Sequence, residues 1–184
     1  MMNAWEEGND IKIDICASNA SQFAPKLDGT MAKSQEGVVP TLRRWSINVG
    51  GSNGTVSEEL LDDMPCEFPR TDDRYMTIPY RHGFAVGGHS GELAFNRLLH
   101  FDTQTGTRKE WGEDKYLLGE PVFAPRAGDA PEADGYLLVL AYDQSTQLSE
   151  MMIFDATDIE PGPVAKALLP LRIPAGFHGT WVGA

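Results

Sequence analysis

A chain of 184 residues, 41% hydrophobic and 23% charged, can bury one sizeable core, and its composition is ordinary for a soluble protein. Its 27 Asp and Glu against 15 Lys and Arg leave a formal net charge of −12, which argues against nucleic acid as a partner, since phosphate binding needs clustered basic side chains. No apolar run approaches the length of a membrane span, and Met1 to Asp10 is polar and acidic rather than a secretory leader, so a cytoplasmic location is expected. Contact with a membrane surface stays open.

In chain order, Ile11, Ile13 and Ile15 alternate with Lys12 and Asp14, the period of a half-buried strand. Leu42 to Val49 repeats that period through Trp45, Ile47 and Val49. Asn48 to Ser57 reads as loop, and Ser57 to Asp63 as one acidic helical turn with Ser57 as N-cap. Leu98 to Phe101 runs into Asp102-Thr103-Gln104-Thr105-Gly106 and then Thr107 to Trp111; an Asp that bonds the local backbone and a Gly that accepts positive φ make this a hairpin. After a loop over Ala127 to Gly135, Tyr136 to Tyr142 reads as a buried strand that Asp143 to Gln147 turns back into Leu148 to Phe154. The Pro161-Gly162-Pro163 corner leads to a last strand, Val164 to Leu169. The chain is therefore all-β. Phe101-Asp102 resembles Phe154-Asp155 about fifty residues on, a spacing that suits propeller blades better than a sandwich, although the pattern alone leaves a sandwich open.

Few residues suggest chemistry. Cys16 and Cys66 are far apart and lack metal-type spacing, so they read as free thiols in a reducing compartment. His178 stands between bulky aromatics in Gly176-Phe177-His178-Gly179-Thr180-Trp181, where glycines allow close backbone approach. On its own that motif reads first as a packed histidine with a satisfied ring N–H, and only second as a ligand. His89 and His100 read as surface or hairpin residues, Arg70 and Arg81 as ion-paired structural residues, and Phe177 and Trp181 as core aromatics, with a tunnel wall as the alternative.

Four blocks change that weighting. They are Met2-Asn3-Ala4-Trp5-Glu6-Glu7-Gly8; Glu67-Phe68-Pro69-Arg70 with Arg74-Tyr75 and Tyr80-Arg81-His82-Gly83; Gly119-Glu120-Pro121-Val122-Phe123-Ala124-Pro125 with Asp134 to Leu138; and Ile173 to Trp181. In order and along nearly the whole chain, they resemble the C-terminal part of the carotenoid cleavage oxygenases, the family that includes the lignostilbene dioxygenases. The resemblance implies a seven-bladed β-propeller of which residues 1–184 form only the last blades, an incomplete C-terminal portion. It implies Fe(II) held on the propeller axis by four histidines, with O2 inserted across a conjugated double bond to give two carbonyl products. His178 is then the fourth iron ligand, and Glu67 and Glu120 match the glutamates that accept the other ring N–H of ligand histidines, largely those of the absent half. A carboxylate in that role orients the imidazole and makes it more basic. The matched block containing His82 brings no ligand role with it.

Family members are two to three times longer. By the resemblance the third ligand histidine stands directly before Met1, the other two lie further upstream, and so do the tyrosine and lysine that engage a phenol. The chain itself then carries no catalytic residue and one iron ligand, and it needs the missing N-terminal blades or another chain. Its expected partners are a conjugated small molecule, carotenoid, apocarotenoid or stilbene, together with O2. The alternative is a non-catalytic, propeller-type interaction module, since a partial ring exposes strand edges.

Overall fold

The computed structural model describes residues 1–18, 28, 40–50, 54–88 and 95–183. His89 therefore lies outside the described residues. Among the described residues, all regular structure is antiparallel sheet apart from one 3-10 turn at Asp73–Tyr75. Strands β1 (Asn3–Glu7), β2 (Asp10–Ala17), β3 (Thr41–Asn48), β4 (Thr55–Thr71), β5 (His82–Gly87), β6 (Arg97–Asp102) and β7 (Thr107–Gly112) form one sheet in sequence order. The second sheet holds β12 (Ala165–Leu168), β11 (Leu148–Asp155) and β10 (Gly135–Asp143), with β8 (Tyr116–Leu118) and β9 (Val122–Pro125) both paired to β10.

The seven-stranded sheet is two blades joined through β4. Residues 55–65 of β4 pair with β3, and residues 66–71 pair with β5 after the strand has crossed over. Three four-stranded units result: β1 to β3 with the first part of β4, the second part of β4 with β5 to β7, and β9 to β12. The loose repeat in the sequence falls on equivalent places. Asp102 and Asp155 both close the third strand of a unit, and each carboxylate accepts backbone N–H groups two or three residues on, from Gln104 and Thr105 and from Thr157. Asn48 closes β3 in the same way by accepting from Gly50.

The acidic segment Ser57 to Asp63 is strand, not a helical turn. Its carboxylates meet a basic strand: Glu58 sits opposite Trp45 and accepts from Arg43 (2.6 Å) and the Trp45 indole (2.7 Å), while Asp62 accepts from Arg108. Pairing across β3 outweighs a local preference worth only a fraction of a kcal/mol per residue.

Two apolar clusters fill the space between sheet faces. One gathers Phe84, Val86, Leu98, Leu137, Met152 and Phe154, all fully buried. The other gathers Met2, Trp5, Leu42, Met64 and Leu99. Within the second lies a fully buried carboxylate, Asp14, which accepts two hydrogen bonds from Arg44 (2.8 and 2.7 Å) and one from the Tyr80 hydroxyl (2.6 Å). Arg44 in turn stacks over Trp5 at 4.9 Å.

His100 lies on a hairpin strand as expected, but its ring is buried, not at the surface. It stacks on Phe84 (centroids 5.0 Å) and shares one hydrogen bond with His82 (Nε2 to Nδ1, 2.9 Å), while its own Nδ1 is buried and has no hydrogen-bond partner among the described residues. Burial pushes both imidazoles down, His100 from 6.5 to about 4, with Arg81 and Lys109 opposing protonation and Asp102 and Glu132 favouring it. As pH falls below 6.5 the unfolded chain takes up a proton that the folded ring refuses, so stability declines until the ring itself titrates near pH 4. For His100 this amounts to about 3 kcal/mol. Urea unfolding at about pH 7 and about pH 4.5 should show that loss, and His100→Phe should remove most of it.

Candidate metal centre

The sequence places each unit's first strand so that its leading residues reach one basin. Met1 and Met2 precede β1, Glu67 opens the second part of β4, Glu120 precedes β9, and His178 arrives on the segment that follows β12. These residues line a cavity of about 400 Å³ whose aromatic wall is Phe68, Phe95 and Phe177.

His178 and Glu120, 58 residues apart, are brought together here. The imidazole Nδ1 lies 3.1 Å from Glu120 Oε1, and the Gly179 backbone N–H donates to Oε2 at 2.7 Å. The Glu120 side chain is only 5% exposed whereas that of His178 is 76% exposed, so a buried carboxylate anchors an accessible ring. Because a carboxylate accepts, Nδ1 carries the hydrogen, so the tautomer this contact selects has its lone pair on Nε2, which makes no hydrogen bond among the described residues. That is the state a metal ligand requires. Glycine matters at position 179, where a Cβ would press on Val122 at 3.3 Å; at Gly176 nothing lies within 4 Å.

Glu67 is close by but otherwise partnered. Its carboxylate accepts only the N–H of Phe68 (3.2 Å), burial pushes its carboxyl up, and no histidine among the described residues reaches it. Phe68 has φ +53 at the irregularity that breaks β4 pairing between Glu67 and Arg70. A bulge of this kind turns successive side chains to one side of a strand, and the strained residue marks where the structure holds it there. The Phe68 ring centroid lies 6.0 Å from that of His178 and 5.7 Å from that of Phe95, both in edge-to-face geometry.

Arg70 is ion-paired, 3.6 Å from Asp73 and 3.8 Å from Glu120, and Arg81 pairs with Asp102 at 2.6 Å. Phe177 and Trp181 are not core residues: they are 62% and 47% exposed, because the segment after β12 joins no further strand. Phe177 instead lines both the basin and a neighbouring apolar cavity of about 290 Å³ beneath residues 172–177. Phe68 and Phe95 were not legible as site residues, because neither a bulge nor a positive φ at phenylalanine has a sequence signature. Among the described residues, no group of three or more His, Cys, Asp or Glu converges as a metal site. The donors present therefore fit one corner of a metal site, not a whole one.

The retinal pigment epithelial membrane protein family model matches residues 1–183. Among curated relatives, the chain is 35% identical to lignostilbene-alpha,beta-dioxygenase isozyme III of Sphingomonas paucimobilis, over all of this chain and 40% of that protein. It is 31% identical to apocarotenoid-15,15'-oxygenase of Synechocystis, over 97% of this chain and 37% of that protein. It superposes on Pseudomonas brassicacearum lignostilbene dioxygenase with a TM-score of 0.89 at 31% identity, covering 100% of this chain and 41% of that one. A cobalt-substituted Synechocystis apocarotenoid oxygenase gives 0.87 at 29% identity, covering 99% and 38%. The chain thus spans about 40% of the length of the relatives it matches, and its blades form a partial β-propeller. The chain belongs to the retinal pigment epithelial membrane protein family, that of the carotenoid oxygenases.

Proposed function

We propose that residues 1–184 are the later-blade portion of a non-haem Fe(II) dioxygenase that cleaves a conjugated C=C bond of a carotenoid, apocarotenoid or stilbene to two carbonyl products. In this reading His178 is an iron ligand through Nε2, Glu120 fixes its ring through Nδ1, and Glu67 accepts the ring N–H of a second ligand histidine. The single observation behind it is the 3.1 Å contact between His178 and a buried Glu120, which commits one ring nitrogen and leaves the other accessible. Glu67 adds support: its half-buried carboxylate has one backbone donor and room for another. Fe(II), when bound, supplies the activation of O2; imidazole donors with open positions suit that chemistry. Phe68, Phe95 and Phe177 offer an apolar wall for a conjugated substrate and keep water from the reacting bond.

The other ligands belong, on this reading, to the part of the relatives' fold that this chain does not include. Elemental analysis of the purified chain is therefore expected to find far less than one iron per chain, and stoichiometric iron would refute that division of ligands. The activity itself is tested by joining the chain behind the remaining part of the Pseudomonas brassicacearum lignostilbene dioxygenase, loading with Fe(II), and following cleavage of a stilbene and an apocarotenoid by product mass. Two carbonyl products from either substrate support the proposal; a folded, iron-loaded joined protein inert toward both contradicts it.

A second reading, a non-catalytic interaction module, is favoured by the outer edge of β12, where Val164 and Leu168 are 62% and 75% exposed. It predicts a joined protein that folds but takes up no iron.

A further inference from the structure

The only two cysteines of the chain, 50 residues apart, meet in the fold. Cys16 comes from β2 and Cys66 from the crossing point of β4, and their sulfurs lie 3.5 Å apart. Cys66 is fully buried, its N–H donating to the Pro40 carbonyl, while Cys16 is half-buried. No strand ladder pairs β2 with β4; β3 lies between them in the sheet. The contact forms only because β4 turns inward where it leaves the first blade for the second.

We infer that Cys16 and Cys66 form a reversible dithiol–disulfide couple, a covalent modification site that hydrogen peroxide closes. Contact between sulfurs already removes most of the search that a cross-link requires, and the remaining approach of roughly 1.5 Å to bonding distance is within the reach of side-chain rotation and a small strand shift. The more accessible Cys16 reacts first. Its thiolate attacks one peroxide oxygen, the O–O bond breaks, and hydroxide leaves to take up a proton as water. The Cys66 sulfur then attacks the resulting sulfenic sulfur and expels its hydroxyl, which leaves as water with the Cys66 proton. In balance, two thiols lose two protons and two electrons, and one hydrogen peroxide becomes two waters.

The shared S–H···S hydrogen bond and burial push the Cys16 thiol well up, so its thiolate is scarce at neutral pH and the first step quickens as pH rises. This separates the couple from a low-pKa peroxide sensor: it records sustained oxidation rather than brief pulses. Cys66 immediately precedes Glu67, so the cross-link ties the strand that carries that carboxylate to the first blade. The couple itself does not depend on the proposed dioxygenase function.

The test uses the reduced, folded full chain treated with excess hydrogen peroxide, with a urea-unfolded sample in parallel. The expected result is a mass loss of two hydrogens, a Cys16–Cys66 peptide in a non-reducing digest, and restoration by dithiothreitol. Because the native contact raises the effective concentration of one sulfur at the other once the sulfenic acid has formed, the ratio of disulfide to over-oxidised cysteine should be on the order of tenfold higher in the folded sample. Cys16→Ser, at the less buried position, should lose the link while keeping the far-UV spectrum. Two thiols still alkylatable after exposure, mainly sulfinic or sulfonic products, links between chains, or the same product ratio folded and unfolded would each overturn the inference.

Discussion

Asp14→Ala is expected to lower the stability of the chain by about 3–5 kcal/mol, the range for removing one partner of a buried ion pair. The carboxylate is fully buried and serves three donors at once, two from Arg44 and one from Tyr80. Its loss leaves a guanidinium and a phenol without acceptors in a site packed by Trp5. Tyr80 brings the segment after the 3-10 turn onto β2, so the damage reaches beyond the first blade. Asp14→Asn should retain one acceptor and fall between wild type and alanine. Urea unfolding followed by tryptophan fluorescence reads both, and an alanine variant within about 0.5 kcal/mol of wild type would mean the network carries little of the fold.

Glu120→Gln is expected to weaken iron binding by about 10–100-fold in the joined protein, the usual cost of removing a carboxylate that orients a ligand histidine. The amide oxygen can accept from His178 Nδ1 or from the Gly179 N–H, but its NH2 group cannot replace the other acceptor. The same change should leave the core intact, since the C-terminal segment is also held by Ser149, which accepts the Ile173 N–H at 2.9 Å. Competition with a chelator reads the affinity, and thermal unfolding reads the core. Loss of iron binding without loss of melting temperature separates orientation of the ligand from general damage.

The strands were legible where one face is buried and turn chemistry is strong. β2, β3, β10 and β11 announce themselves by alternation, and Asp102, Asp143 and Asp155 accept the turn N–H groups that their positions suggested. The acidic half of β4 was not legible, because what makes it a strand is the basic face of β3, not its own residues. Phe177 and Trp181 read as core because aromatics usually are, whereas they are exposed on a segment that forms no strand after β12. At the candidate site, residue chemistry alone gave a histidine flanked by glycines; only the family resemblance pointed to Glu120. Nothing in sequence spacing reveals that residues 58 apart share a hydrogen bond, or that His82 and His100 do. Contacts of that kind are properties of blade order, which the periodicity of single strands does not contain.

The proposed function makes His178, oriented by Glu120, one corner of an iron site completed by the rest of the fold. Its most direct test is the iron content of the joined protein with His178 intact and with His178→Ala, measured after dialysis against a weak chelator. Close to one iron per intact joined chain is expected, with a loss of most of it in the variant and an unchanged far-UV spectrum. Equal iron in both proteins would contradict it.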